Sequence, residues 1–124
     1  MPRVLITGSR EFSDIEIART ALSDARWSLG PDLVVVHGGA RGADRLLAVM
    51  AGQLGFVTEV HPANWTANGK AAGFIRNQAM VDLGAHLALV FLVEGVACRG
   101  TKACWRRADR AGIPCRVYTQ AGVS

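Results

Sequence analysis

Leu33-Val34-Val35-Val36-His37-Gly38-Gly39-Ala40-Arg41-Gly42-Ala43-Asp44 runs from an uninterrupted apolar segment, through a glycine-rich loop, into the start of a helical pattern. Strand, tight loop and helix in immediate succession are the unit of alternating α/β folds. Glycines at such a turn let the backbone approach a ligand closely. The N–H groups of the helix start then favour an anion, most often a phosphate or a nucleotide derivative. Arg41, inside the loop, adds a side-chain partner for the same anion.

The pattern repeats in both directions. Val4, Leu5 and Ile6 predict a first strand, ended by Thr7-Gly8-Ser9-Arg10. Ile15, Ala18, Leu22, Ala25 and Leu29 share one face of a helix over 15–29, with Ser13 and Glu16 as a capping box and Gly30-Pro31 as its stop. A second strand over 33–36 precedes a helix carrying Ala43, Leu46, Leu47, Met50 and Leu54. The short strand over 57–60 contains polar Thr58 and Glu59, which suits a sheet edge. The longest loop follows, over 61–69, and then a third helix over 70–83 closed by Gly84. Leu87 to Val93 is apolar throughout and reads as a central strand buried on both faces. A fourth helix over 101–111 and a strand over 115–118 complete the chain. The expectation is a single α/β domain over 1–124: a Rossmann-like three-layer sandwich with five parallel strands in the order 3-2-1-4-5.

Composition narrows the function classes. With 124 residues, half of them hydrophobic and 19% charged, the chain has the makings of one ordinary core. Its apolar runs are far too short for a membrane span, and the N-terminus enters a strand at once, leaving no signal-peptide pattern. Cys98, Cys104 and Cys115 form an odd set whose spacing suits neither a zinc site nor a disulfide framework. A cytoplasmic, reduced protein with no metal and no cofactor is expected. The formal net charge is +4, and twelve of the fourteen cations are arginine, yet no block of like charge appears. Nucleic acid is therefore the less favoured partner, behind a nucleotide-like small molecule.

In the predicted strand order, ligands bind outside the carboxyl ends of the strands, where the chain order reverses between the first and fourth strands. The segments leaving those ends carry Arg10, Arg41 and Arg99, with Lys70 and Arg76 nearby on the third helix. That many cations facing few carboxylates suits an anionic ligand. Thr7, Gly8, Ser9 and Arg10 would line one side, and Gly38, Gly39, Arg41 and Gly42 another. Gly100-Thr101 opens the fourth helix and forms a second candidate anion cradle, with Thr101 as a plain N-cap the alternative. Asp44 and Glu94 are the candidate catalytic carboxylates; Asp44 would hold a ribose hydroxyl, act as a base, or only complement the helix dipole. No Ser-His-Asp or Cys-His arrangement can be read from order and spacing.

These residues resemble the SLOG superfamily, the Rossmann-like group that includes DprA and the LOG phosphoribohydrolases, and more narrowly its small YspA-like proteins. Gly38-Gly39-Ala40-Arg41-Gly42-Ala43-Asp44 is similar to the GGARGID-type loop of DprA and the glycine loop of LOG. Phe74-Ile75-Arg76-Asn77-Gln78-Ala79-Met80 resembles their shared arginine segment, placing Arg76 and Asn77 at the site, and Arg99-Gly100-Thr101 falls where LOG has the GT of its PGGxGTxxE loop. The resemblance implies a pocket for a nucleotide or an ADP-ribose-like, phosphoribosyl-containing ligand, and self-association into a homodimer or higher homo-oligomer. It departs at Cys104, which stands where LOG carries its catalytic glutamate. A thiol cannot stabilise positive charge developing on a ribose carbon as a carboxylate does. Binding is therefore the leading expectation, with N-glycosidic hydrolysis of a nucleotide and single-strand nucleic-acid binding as alternatives.

Overall fold

Val4 and Ile6 face one side of the sheet and Leu5 the other, as the two-residue period of a strand requires. This alternation runs through a computed structural model that describes residues 1–122. Five parallel strands, β1 (Arg3–Gly8), β2 (Val34–His37), β3 (Val57–Val60), β4 (Leu87–Val93) and β5 (Cys115–Gln120), lie in the order β3-β2-β1-β4-β5. Helices α1 (Ile15–Leu29) and α2 (Ala43–Gln53) cover one face. Helices α4 (Ala72–Asp82) and α5 (Arg99–Arg110) cover the other. The architecture is the Rossmann-like α/β sandwich, with the strand order read from the sequence.

On the α1/α2 side, Ile6, Leu22, Leu47 and Leu89 are fully buried, and Phe91 sits between Phe12 and Tyr118 with ring centroids 5.0 and 5.5 Å away. The opposite side holds a smaller cluster, in which Leu5, Val36, Met80 and Ile113 pack with Ala88, Cys104 and Ala108. Nearly every residue of β4 is buried, as expected of an inner strand with helices on both faces. β3 is an edge strand, and only Glu59 is even partly buried.

Several boundaries differ from the sequence reading. Asp14, not Ser13, caps α1, its side chain accepting from the Ile17 amide at 3.0 Å. The capping box does not form because Gln120 of β5 takes both the Ser13 amide and hydroxyl, while Glu16 pairs with Arg19. The expected 61–69 loop contains a helical turn, α3 (Trp65–Asn68), capped by Asn64 Oδ1 on the Ala67 amide. A 3-10 turn at Gly69–Ala71 then leads into α4, so the third helix starts two residues later than expected. α5 starts at Arg99 rather than Thr101, with left-handed Cys98 as its cap residue, so Thr101 lies inside the first turn and is not the N-cap. β2 starts one residue later than expected and includes His37, and β5 runs on to Gln120.

Candidate functional site

The carboxyl ends of β1 and β4 lie side by side, Gly8 opposite Phe91, where the strand order reverses. Gly8 is a packing requirement. A methyl group there would overlap Ala43 Cβ and stand 2.8 Å from Phe91 Cβ. Gly42 closes the same joint from α2: with φ 80°, its missing side chain leaves room for the Ser9 and Arg10 carbonyl oxygens, each only 2.5 Å from where a Cβ would lie. The Ala43 amide then donates to Ser9 O at 3.1 Å. The start of α2 is thus locked onto the end of β1.

This joint fixes the conformation of the glycine loop. The Gly38 and Ala40 amides donate to Asp44 Oδ2 at 3.0 and 3.3 Å, and the Gly39 amide to His37 Nδ1 at 3.0 Å. The amides of Gly38 and Gly39 therefore already have acceptors within the chain. The expectation that they would cradle an external phosphate is corrected accordingly. Burial pushes the Asp44 carboxyl up to about 6, against the opposing pull of the two amides and of Arg76. Burial, then His61 and Arg76, pushes the His37 imidazole down, in keeping with an unprotonated Nδ1 that accepts a hydrogen bond.

Arg76 crosses from α4 to the ends of two strands. Its Nη1 donates to Gly38 O at 2.7 Å and to His61 O at 3.3 Å, and its Nε to Asn77 Oδ1 at 2.8 Å. The guanidinium fills the space a side chain at Gly38 would need. Arg76 thus holds the β2 and β3 ends to α4, besides standing beside Asp44 as a charge.

Between the strand ends, α4 and the start of α5 lies a cavity of about 340 Å³. Thr7, Gly8, Ser9, Arg10, Asp44, Arg76, Asn77, Arg99, Gly100 and Thr101 all line it. Gly38, Gly39 and Arg41 instead line an adjoining depression together with Arg45, and Arg10, Ala40, Trp65 and Arg76 are common to both. Gly42 lies under the loop and lines neither. Glu94 is exposed beyond the end of β4, its amide bonded to Gln120 O, and lines neither cavity. Cys104 is wholly buried, and desolvation pushes its thiol up, so this residue is a neutral core group beneath Thr7.

The sequence reading missed Phe74, Met80, Val96 and Cys98 as wall residues. For α4 a signal existed: Gly73, Arg76, Asn77 and Met80 recur at helical spacing and face the cavity together. For Cys98 none did, since its placement follows from a left-handed backbone at φ 51°. Among the described residues, no group of three or more His, Cys, Asp or Glu side chains converges as a metal site, and no helix is long and apolar enough to cross a membrane.

Three comparisons place this architecture among known proteins. The structure is similar to the X-ray structure of DNA processing protein A (DprA) from Streptococcus pneumoniae, with a TM-score of 0.69 at 21% identity over 96% of this chain. It spans 50% of that chain, and the likeness is one of fold. The Gene 61 protein of Mycobacterium phage D29 is 45% identical over 119 residues, covering 92% of this chain and 94% of that protein. Residues 2–67, which hold β1, α1, the glycine loop and α2, match the model of the YspA, cpYpsA-related SLOG family. The chain belongs to that family.

Proposed function

We propose that the chain binds a nucleotide or a nucleotide-derived, phosphoribosyl- or ADP-ribose-like ligand at the carboxyl ends of the strands, as a sensor or accessory protein. The observation that carries this reading is the composition of the 340 Å³ cavity. Arg10, Lys70 and Arg99 supply cations that outnumber the exposed carboxylate Glu11, while Trp65 and Phe74 supply aromatic surface. The first turn of α5 presents the amides of Arg99, Gly100 and Thr101, which have no partner within a helix and favour an anion. The volume sits at the small end of the range for small-molecule sites and suits one nucleoside monophosphate. A longer ligand with a second phosphate would extend past Arg76 toward Arg41 and Arg45.

Calorimetry with ribonucleoside 5′-monophosphates, cyclic nucleotides and ADP-ribose tests the reading. Binding is expected for at least one member of the panel, and Arg99→Ala should weaken it about tenfold, the worth of one charge-assisted hydrogen bond. Absence of binding across the panel overturns the reading.

One observation supports a second reading, hydrolysis of a nucleotide N-glycosidic bond. Asp44 holds a carboxyl at about 6 inside the cavity, the range in which a group can both take and give a proton. Release of free base from nucleoside monophosphates, lost in Asp44→Asn, is the expected sign. No turnover across the same panel removes it.

A further inference from the structure

Asp44 is 6% exposed, and only one of its carboxylate oxygens is used by the fold. Oδ2 takes both loop amides; among the described residues Oδ1 has no donor, and the side chain lines the cavity. Oδ1 is not sealed off: among the described residues Arg107 Nη1 is the one buried side-chain N or O atom without a partner, so Oδ1 stays open to a donor that enters the cavity. The cations Arg10, Lys70 and Arg99 favour an anionic ligand, whose fully ionised phosphate oxygens only accept. Above the second phosphate pKa of about 6, the group that meets Asp44 is therefore a neutral donor carried by the anionic molecule.

The position within the cavity narrows that donor. Asp44, in the first turn of α2, lines the cavity together with Arg76 of α4 and Thr101 of α5. The aromatic wall, Trp65 and Phe74, belongs to the α3 and α4 side, and the anion-favouring helix start belongs to α5. In a nucleotide, the group between the base and the phosphate is the sugar. Resting on the nucleotide reading above, we infer that Asp44 Oδ1 accepts a hydrogen bond from a ribose hydroxyl and makes the site selective for ribonucleotides over deoxyribonucleotides. A site built around a buried acceptor rejects the analogue that lacks the donor, because the acceptor is then left unpaired.

The test compares ribose 5-phosphate with 2-deoxyribose 5-phosphate, and AMP with its 2′-deoxy and 3′-deoxy forms, by calorimetry on the whole chain. The wild type should bind the ribo form about 10- to 100-fold more tightly than at least one deoxy form, as expected for a hydrogen bond to a charged group. Asp44→Asn keeps an acceptor for the Gly38 and Ala40 amides but turns an amide donor toward the cavity. The ratio should then fall to near one, with thermal unfolding intact. If Asp44→Asn does not fold, Asp44→Glu, which moves the carboxylate by one methylene, must still change the ratio.

Binding with equal affinity for every sugar pair overturns ribose selection and leaves the nucleotide reading standing. A preference retained unchanged in the variant overturns the assignment to Asp44. Absence of binding by any probe overturns both. The base-free sugar phosphates carry no exocyclic amine, and a ribo preference present with AMP but absent with them also sinks the inference.

Discussion

Asp44 is held by two amides yet still resists ionisation, and this makes a prediction about stability as well as binding. Its carboxyl is raised from 3.8 to about 6 on folding. The folded chain therefore keeps this proton over a pH range in which the unfolded chain has released it. The contribution of this group is fully present below about pH 4, falls as pH rises through the window, and is gone above about pH 6. Asp44→Asn removes the penalty, so the variant should be more stable than wild type by up to about 3 kcal/mol at pH 7.5 and about equal to it near pH 4. Glu59 works in the opposite sense, held down to about 2 by Arg3 and His61, but it is common to both proteins and cancels in the difference. Urea unfolding of the pair at several pH values checks this; a constant difference would remove Asp44 as its source. Gly8→Ala should destabilise by about 3 kcal/mol in the same assay, because the added methyl meets Ala43 and Phe91, which are anchored by packing. That glycines crowd this turn was legible in the sequence. Which of them meet ligand and which meet Ala43, Arg76 or the Ser9 carbonyl was not, since those neighbours come from distant parts of the chain.

At the level of elements, α4 is attached to the strand ends by polar contacts as much as by packing. Arg76 bonds to carbonyls at the ends of β2 and β3, while Arg107 of α5 places its guanidinium 5.6 Å from the Phe74 ring centroid. Arg76, which sequence spacing presents as a free cation, is therefore engaged within the fold. Lysine cannot reproduce the guanidinium geometry at position 76, because its single ammonium cannot bond Gly38 O, His61 O and Asn77 Oδ1 through a planar fork. Arg76→Lys should cost about 1–2 kcal/mol. It should also raise amide hydrogen exchange selectively between His61 and Ala71, the stretch joining β3 to α4. Uniform exchange across the molecule would show that Arg76 does not hold this joint. The same stretch is where the helix pattern was least legible. Trp65–Asn68 is four residues long, too short to display a period, and its start depends on one Asn64 cap. The longer elements stood out because each repeats its burial pattern over several turns or strand residues, and the edge character of β3 showed in Thr58 and Glu59.

For the molecule as a whole, the net charge of +4 matters less than where the unpaired part of it lies. Arg3 is paired with Glu59 and Arg19 with Glu16, both away from the cavity, while Arg116 bonds the neutral Ser28 hydroxyl and keeps its charge. Arg10 and Arg99 line the cavity and are exposed, as is Lys70, and Arg41 is exposed in the adjoining depression. The field that reaches a phosphate is therefore set mainly by Arg10, Lys70 and Arg99 in the cavity, opposed by the exposed Glu11 carboxylate, with Arg41 and Arg45 in the adjoining depression. Three cations at about 6 Å from a phosphate of charge about −1.5 to −2 contribute about 3–4 kcal/mol in water before screening, and less than half of that changes between 0.1 and 1 M salt. Affinity for a nucleoside monophosphate should consequently fall about ten- to twentyfold over that range, and Arg10→Ala with Arg99→Ala should flatten most of the dependence. A single-stranded oligonucleotide tracking the surface through many phosphates would instead lose about a thousandfold or more between 50 and 200 mM salt. Arg106 and Arg110 on α5 are exposed, but neither lines the cavity or the adjoining depression. Titrations of AMP and of a single-stranded oligonucleotide across the same salt series decide between the two. A shallow slope for AMP with weak oligonucleotide binding fits a small-molecule site, whereas tight and steeply salt-dependent oligonucleotide binding would move the function from the cavity to the surface.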